Sequence, residues 1–500
     1  MPDNKYILSI DQGTTGTAAI LFDGEGKPVA DADREIKQIY PQPGWVEHNP
    51  SEIFQTAVDV AHAAIKKAGI SPTAISGIGI TNQRETTVVW DKKTGEPVSN
   101  AIVWQCRRTA SLVEDLKNKG LADVIYQKTG LIPDAYFSAT KIRWILDHIK
   151  EGQKRAEQGD LLFGTIDTWL AWKLSGGKAH VTDYSNASRT MLYNINTLKW
   201  DKDIMAALNI PANMLPKVIP SSLAYGITAP GILGKEEINL CAIAGDQQAA
   251  LFGQACYTPG MAKNTYGTGS FILLNSGEKP TFSKKGLLTS LAWGLEGKII
   301  YALEGSVFIT GAAIQWLRDG LKIIKTAAQS EALAESEPDN GGVYFVPALA
   351  GLGAPYWDMY ARGTIIGITR GTTNGHIARA TLEAEAYQVR DVVDTMKLEA
   401  GIKIPILRVD GGGTANSLLM QFQADITNMP IQVAAVAETT ALGVAYLAGL
   451  ATGQWKNTDE IAKKWRSSAT FEPKMSADQR DQLYSNWLRA VERAHGWIKK

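Results

Sequence analysis

Near its N-terminus the chain runs KYILSI, stops on Asp11, turns through QGTTG and resumes with apolar residues. That order predicts a strand, a tight hairpin and a second strand, with an acid delivered at the strand end and small residues leaving backbone N–H groups accessible. Such a turn can cradle phosphate, and it can equally be an ordinary hairpin carrying a solvated Asp. It is neither a Walker A loop, which needs GxxxxGK[ST] feeding a helix, nor a dinucleotide loop, which needs GxGxxG opening one. The pattern echoes further on: PILRVD ends in Asp410 before GGGTAN, and NTYGTGSF, from Asn264 to Phe271, has the same Gly-Thr character. The turns at Asp11 and Asp410 read as corresponding points in two halves of a duplicated fold facing each other across a cleft. Three small-residue loops would suit the phosphates of one nucleotide. Because Gly and Thr are common after strands, coincidence is the competing explanation.

Elsewhere strand-like runs alternate with longer helical patterns: AISGIGITNQ precedes the amphipathic RRTASLVEDLKNKG, and LRVDGGGTAN precedes SLLMQFQADITNM. The alternation predicts α/β architecture, and 500 residues are enough for two large lobes. The segment AYGITAPGILG, Ala224 to Gly234, is expected to be a surface loop ahead of a buried strand in INLCAIAGDQ. With 51 basic and 51 acidic side chains in balance, neither a nucleic-acid nor a membrane-surface partner is indicated. The leading MPDNKYILSIDQ has no basic region before a long apolar core, and no apolar run approaches the ~20 residues that span a bilayer, so a cytoplasmic protein is expected. Cys106, Cys241 and Cys256 show no C-x₂-C spacing and are expected to be reduced and structural.

Several segments carry residues suited to chemistry. GITNQRETTVVWD places Arg84 and Glu85 where an apolar strand gives out. The pair reads either as a surface ion pair or as a donor fork and an acceptor for hydroxyl groups at a cleft. Trp104, in VWQCRRT, reads as core or as a ligand platform. CAIAGDQQAALFGQ breaks at Gly245 and delivers Asp246 and Gln247 before an Ala-rich helix. Asp246 reads as a helix N-cap, as a general base, or as both. The six histidines are scattered, with no HExxH, so neither a metal cage nor a Ser-His-Asp hydrolase is supported. A metal here would be Mg²⁺ shared between phosphates and the carboxylates of Asp11 and Asp246.

Longer blocks narrow the reading. YFSATKIRWILDH, Tyr136 to His148, and GTIIGITRGTTNGHIARATLE, Gly363 to Glu383, are joined by PGWVEHNP, GITNQRETT, NAIVWQCRRT, VTDYSNASRTML, AGDQQAALFGQ, MAKNTYGTGSF and GLGAPYWD, in that chain order around them. From about Tyr6 to Leu450 the chain resembles the FGGY carbohydrate kinases of the actin-like, ribonuclease-H-like superfamily, and among them those that phosphorylate glycerol. The resemblance implies two ribonuclease-H-like lobes, residues 1–252 and 253–500, with a catalytic cleft between them. It implies that Arg84, Glu85, Tyr136, Asp246 and Gln247 hold the hydroxyls of glycerol, and that Trp104 and Phe271 wall its carbons. It further implies Asp246 as catalytic base, Asp11 as the acid organising Mg²⁺, and Thr14, Thr15, Gly16, Thr268, Gly311, Gln315, Gly412 and Asn416 as nucleotide contacts. The reaction so implied is in-line transfer from MgATP to glycerol, giving sn-glycerol 3-phosphate and ADP, in a homodimer or homotetramer.

Two departures stand out. Where relatives continue the first loop as Gly-Thr-Thr-Ser-Ser-Arg, this chain has Gly16, Thr17 and Ala18, losing a cation near the phosphates; weaker nucleotide affinity with chemistry retained is expected. YGITAPGILGKEE lacks the Gly-rich basic stretch and the His through which relatives are regulated by fructose 1,6-bisphosphate or by phosphorylation. The rival readings are another FGGY sugar kinase, a non-kinase actin-like ATPase, and a kinase that binds glycerol without turnover.

Overall fold

The computed structural model describes residues 5–499. Two mixed sheets organise them. The first has strands β1 (Tyr6–Gln12), β2 (Gly16–Phe22), β3 (Pro28–Glu35), β4 (Ile75–Asn82), β5 (Ser222–Ile227) and β6 (Asn239–Gly245), in the order β5-β6-β4-β1-β2-β3. The second has β7 (Ala262–Tyr266), β8 (Ser270–Gly277), β9 (Leu288–Leu295), β10 (Lys298–Val307), β11 (Leu407–Asp410), β12 (Ile431–Ala434) and β13 (Ser467–Phe471), in the order β9-β10-β8-β7-β11-β12-β13. Each centres on a strand with an antiparallel hairpin on one side and two parallel strands on the other: β1 with β2, β4 and β6, and β7 with β8, β11 and β12. The middles of β1 and β6, each enclosed by neighbouring strands, are largely apolar, as ILSI in β1 and LCAIA in β6 illustrate.

This topology corrects two sequence expectations. The duplication is present, but the counterpart of the β1–β2 turn at Asp11 is the β7–β8 turn at Thr268. Asp410 ends β11, whose counterpart is β4 with Gln83 to Glu85 beyond it. Short Gly-Thr runs carry no strand order, so sequence similarity alone paired the wrong turns. Ala224 to Gly234 is also only partly a loop: its first residues belong to β5, which pairs antiparallel with the free edge of β6, an edge position where Gly226 is tolerated.

Helices clothe both sheets. The site depends on α1 (Asp246–Gly253), α2 (Gly311–Asp319), α3 (Asn374–Ala400), α4 (Ser417–Thr427) and α5 (Thr439–Thr452). α5 lies in sequence between β12 and β13 of the second sheet yet packs on the first. Ser9 donates to the Ala441 carbonyl at 2.7 Å, and the bare backbone of Gly79 admits the Val444 carbonyl. α1 and α5 cross so tightly that a Cβ on Gly443 would stand 1.8 Å from the Ala249 carbonyl oxygen. One apolar cluster therefore contains Ile7 and Phe22 of the first sheet, Leu273 and Ala302 of the second, and Leu251, Phe252, Leu442 and Val444 from the crossing helices. No helix among the described residues is long and apolar enough to cross a membrane.

Candidate active site

Three parallel strands of the first sheet stop in register. Gln12 lies beside Asn82, and Asn82 beside Gly245, so the turn after β1, the Gln83–Glu85 segment and the start of α1 emerge together at the carboxyl edge. Ligands gather at such an edge because loops diverge there and helix N-termini point at it.

Arg84 and Glu85 are not a surface pair: they are 3% and 1% exposed. Arg84 forks onto Glu304 of β10, with Nη1 at 2.6 Å and Nη2 at 2.9 Å; its Nη1 also reaches Gln248 at 3.2 Å, and its Nε faces Asp246 Oδ1 at 3.2 Å. Those contacts leave one Nη2 N–H for another partner. Glu85, held at a left-handed φ of 60°, accepts from Arg189 Nε at 2.6 Å through Oε1, and Arg189 in turn reaches Glu304 at 3.3 Å. Lys263 of β7 donates to Gln247 Oε1 and, at 2.8 Å, to Thr265. Arg84, Arg189 and Lys263 thus balance Glu85, Asp246 and Glu304 in a buried cluster drawn from both sheets. A lone buried charge there would carry a large desolvation cost. The two arginines hold the Glu304 carboxyl down at about 2, whereas burial raises that of Glu85 and lowers Lys263 to about 8. Glu304 carries no local signal in the sequence; Arg189 and Lys263 carry only their membership of the VTDYSNASRTML and MAKNTYGTGSF blocks.

Asp246 is not the N-cap. Gly245 takes that position, and a Cβ on it would meet the Arg84 side chain at 2.8 Å, so glycine is needed for the arginine to pass. Asp246 is the first helical residue. Its Oδ1 is occupied by Arg84 Nε and by the Gln247 amide at 2.7 Å, which leaves Oδ2 open on a side chain 28% exposed. Burial raises its pKa, while Arg84 and Lys263 oppose the rise. Gln247, its Oε1 taken by Lys263, keeps its amide donors. Tyr136 and Trp104 stand edge to face at 5.5 Å, and burial keeps the Tyr136 hydroxyl protonated. Phe271, half-buried, is the second residue of β8 in the second sheet.

The first turn is held from behind. Gln38 Nε2 donates to the Thr14 carbonyl at 2.9 Å, and Gln83 Nε2 donates to the Gly13 carbonyl at 3.1 Å. In a trans peptide the N–H opposes the C=O, so the amides of Thr14 and Thr15 face away from those glutamines. His48 links the two: Nε2–H donates to Gln38 Oε1 at 2.9 Å, and Nδ1 accepts from Gln83 at 3.3 Å. Burial depresses its pKa to about 4 and keeps it neutral. Gly16 is pinned against β3, where a Cβ would lie 2.7 Å from the Arg34 carbonyl.

On the second sheet the predicted nucleotide residues fall on neighbouring loops. Thr268 is exposed at the β7–β8 turn; its carbonyl accepts from Thr310 and Ala312, each at 3.0 Å, and the Gly311 amide reaches Gly267 at 3.1 Å. A Cβ on Gly311 would stand 2.5 Å from the Gly267 oxygen. Gln315 is exposed one turn along α2. The turn after β11 packs on Tyr266, with Gly411 at φ 88°, and Gly412 has nothing within 4 Å of where a Cβ would go. Asn416 caps α4 through Oδ1 to the Leu419 amide at 2.8 Å, leaving its amide donors.

Asp11 is half-buried and has no ion-pair partner among the described residues; burial, Asp246 and Glu438 raise its pKa to about 7. Like-charged oxygens of this kind suit a hard divalent cation. Among the described residues no cluster of three or more acidic, His or Cys side chains could hold a metal by itself. Both facts fit Mg²⁺, which takes one or two carboxylates and completes its shell with water and phosphate. Cys106, Cys241 and Cys256 are free and buried.

The match to known proteins is extensive. Residues 6–253 fit the model of the FGGY family of carbohydrate kinases, N-terminal domain, and residues 262–452 fit that of the C-terminal domain. A Thermotoga maritima protein named glycerol kinase 2 is 62% identical, covering 99% of this chain and 100% of its own length. A glycerol kinase of Caldanaerobacter subterraneus is 61% identical over the same shares. Among solved structures, Plasmodium falciparum glycerol kinase with ADP superposes with a TM-score of 0.93 at 38% identity over 99% of each chain. A ligand-bound xylulose kinase from Lactobacillus acidophilus gives 0.87 at 25% identity, over 98% of this chain and 97% of that one.

Proposed function

Given that the chain belongs to the FGGY family of carbohydrate kinases and phosphorylates glycerol with ATP, we propose that Asp246 Oδ2 is the atom that takes the proton from glycerol's reacting hydroxyl. The observation that carries this reading is the occupancy of Asp246: Arg84 Nε and the Gln247 amide hold Oδ1, and Oδ2 is the open oxygen of a carboxylate whose pKa is raised by burial, with Arg84 and Lys263 opposing the rise. As the proton moves to Oδ2, the hydroxyl oxygen bonds to the γ-phosphorus, and the bond from that phosphorus to the β–γ bridging oxygen breaks, releasing ADP. The remaining Nη2 donor of Arg84, the Glu85 Oε2 and the Gln247 and Tyr136 donors orient the other hydroxyls, with Trp104 and Phe271 against the carbons. Attack from a terminal hydroxyl gives sn-glycerol 3-phosphate.

On the nucleotide side, the outward amides of Thr14 and Thr15, with Gly16, receive the transferring phosphate, and Thr268, Gly311, Gln315, Gly412 and Asn416 hold the rest of ATP. Asp11 would hold Mg²⁺, with Asp246 contributing through water so that its Oδ2 stays free for the proton; when bound the ion would neutralise phosphate charge. The reading also includes a boundary near residue 253, a cytoplasmic setting and a homodimer or homotetramer. An ADP-release assay with glycerol, without it, and with xylulose and gluconate in its place tests the reading. Asp246→Asn should lower glycerol-dependent turnover by at least about 100-fold with an unchanged circular dichroism spectrum. Near-normal turnover in the folded variant would remove Asp246 from this role.

A further inference from the structure

Trp104 touches both halves of the site. Its Nε1–H donates to the Thr14 hydroxyl at 2.9 Å, across from strand end to phosphate turn. Its backbone returns to the same turn by a second route: the Trp104 amide donates to Thr86 Oγ1 at 3.2 Å, Thr86 donates to Gln83 Oε1 at 2.9 Å, and Gln83 donates to the Gly13 carbonyl at 3.1 Å. The indole plane is set by the edge contact with Tyr136 at 5.5 Å. A rigid ring is therefore tied by its polar edge to one loop and packed against Tyr136. Because the Thr14 hydroxyl accepts from the indole, its own hydrogen is free to be donated outward, and a hydroxyl that accepts one hydrogen bond donates a second more strongly.

We propose that Trp104 couples the two substrate sites: glycerol packed on the indole face restricts the ring to the orientation in which its Nε1 edge holds Thr14 ready for nucleotide phosphate. This rests on the reading that Trp104 walls glycerol and Thr14 meets the nucleotide. The coupling is a strut rather than a contact between the ligands, and linkage makes it reciprocal: nucleotide tightens glycerol by the factor by which glycerol tightens nucleotide. One hydrogen bond gained or lost sets its size, at about three- to tenfold.

The test is calorimetric binding of the non-hydrolysable β,γ-imido analogue of ATP with Mg²⁺ to the full chain, with and without saturating glycerol, so that the γ-phosphate is present and no turnover intervenes. The expected result is a wild-type tightening of about three- to tenfold. In Trp104→Phe, which keeps a ring but removes the donor, the factor falls toward one. Thr14→Val also weakens the ATP analogue by itself, yet it should abolish the same factor, and the double variant should lose no more than either single one. Full coupling in folded Trp104→Phe, additive losses in the double variant, or no coupling in the wild type would each overturn the proposal. Trp104→Ala keeps the two ideas apart: glycerol binding as tight as in the wild type would mean that Trp104 is not the wall, a failure of the underlying reading rather than of the strut.

Discussion

His48 shows how much a single neutral side chain can organise. Its ring has one donor and one acceptor, and the site uses both, directing Gln38 and Gln83 onto consecutive carbonyls of the β1–β2 turn. Protonation would place two donors where one acceptor is needed. The folded pKa of about 4 lies below the unfolded value near 6.5, so between those values the unfolded chain binds the extra proton and stability falls as pH falls. The contribution is fully present above pH 6.5 and amounts to at most about 3 kcal/mol. Urea denaturation between pH 4.5 and 7.5 should therefore show a shallower pH slope in His48→Gln than in the wild type; parallel slopes would mean that His48 does not titrate this way. Of the residues at this scale, Arg84, Glu85, Asp246 and Gln247 were legible because they follow strand ends, where apolar patterning stops abruptly. Glu304 and Arg189 were not, because each partner lies 100 or more residues away in sequence, Glu304 in the middle of an otherwise apolar strand.

At the scale of elements, register and crossing carry the consequences. Asp11 is paired across the β1–β2 hairpin with Ala18, so a residue at 18 shares the face of the sheet that Asp11 occupies. An arginine there would stand beside the carboxylate and, on the proposed nucleotide reading, near the phosphates. Ala18→Arg should accordingly lower KM for ATP several-fold with kcat changed less, read from initial rates at saturating glycerol; an unchanged KM would show the position to be neutral. The α1–α5 crossing tests packing rather than chemistry. Gly443→Ala forces a methyl into the Ala249 carbonyl and should cost about 3 kcal/mol or more. Gly24→Ala, with nothing within 4 Å of its Cβ, should stay within about 0.5 kcal/mol. Equal denaturation midpoints for the two variants would contradict the crossing.

For the whole molecule, order along the chain and order in space part company. The strands of the first sheet all precede residue 246, yet α5, from Thr439 onward, covers it through Ser9, Gly79 and Ser222, whose hydroxyl donates to the Leu447 carbonyl at 2.8 Å. A fragment of residues 1–252 would expose that apolar face. It should bind a hydrophobic dye and exchange the amides of β4 rapidly, and residues 253–500 added in trans should reverse both. A dye-silent fragment that unfolds cooperatively would show the first sheet to be self-sufficient.

Local chemistry was readable from the chain alone: apolar runs that must be buried strands, small-residue turns that end them, acids and amides delivered at their ends, and blocks long enough to identify the family. These depend on neighbours within about a dozen residues, which periodicity and turn preference report directly. Tertiary structure alone decided which turns correspond, that Glu304 reaches across from the second sheet to hold Arg84, that Lys263 balances the cluster, and that the Trp104 edge meets Thr14. Each of these is a contact between polar groups distant in sequence, whose partner is selected only when burial leaves a charge or donor with no water and one neighbour in reach.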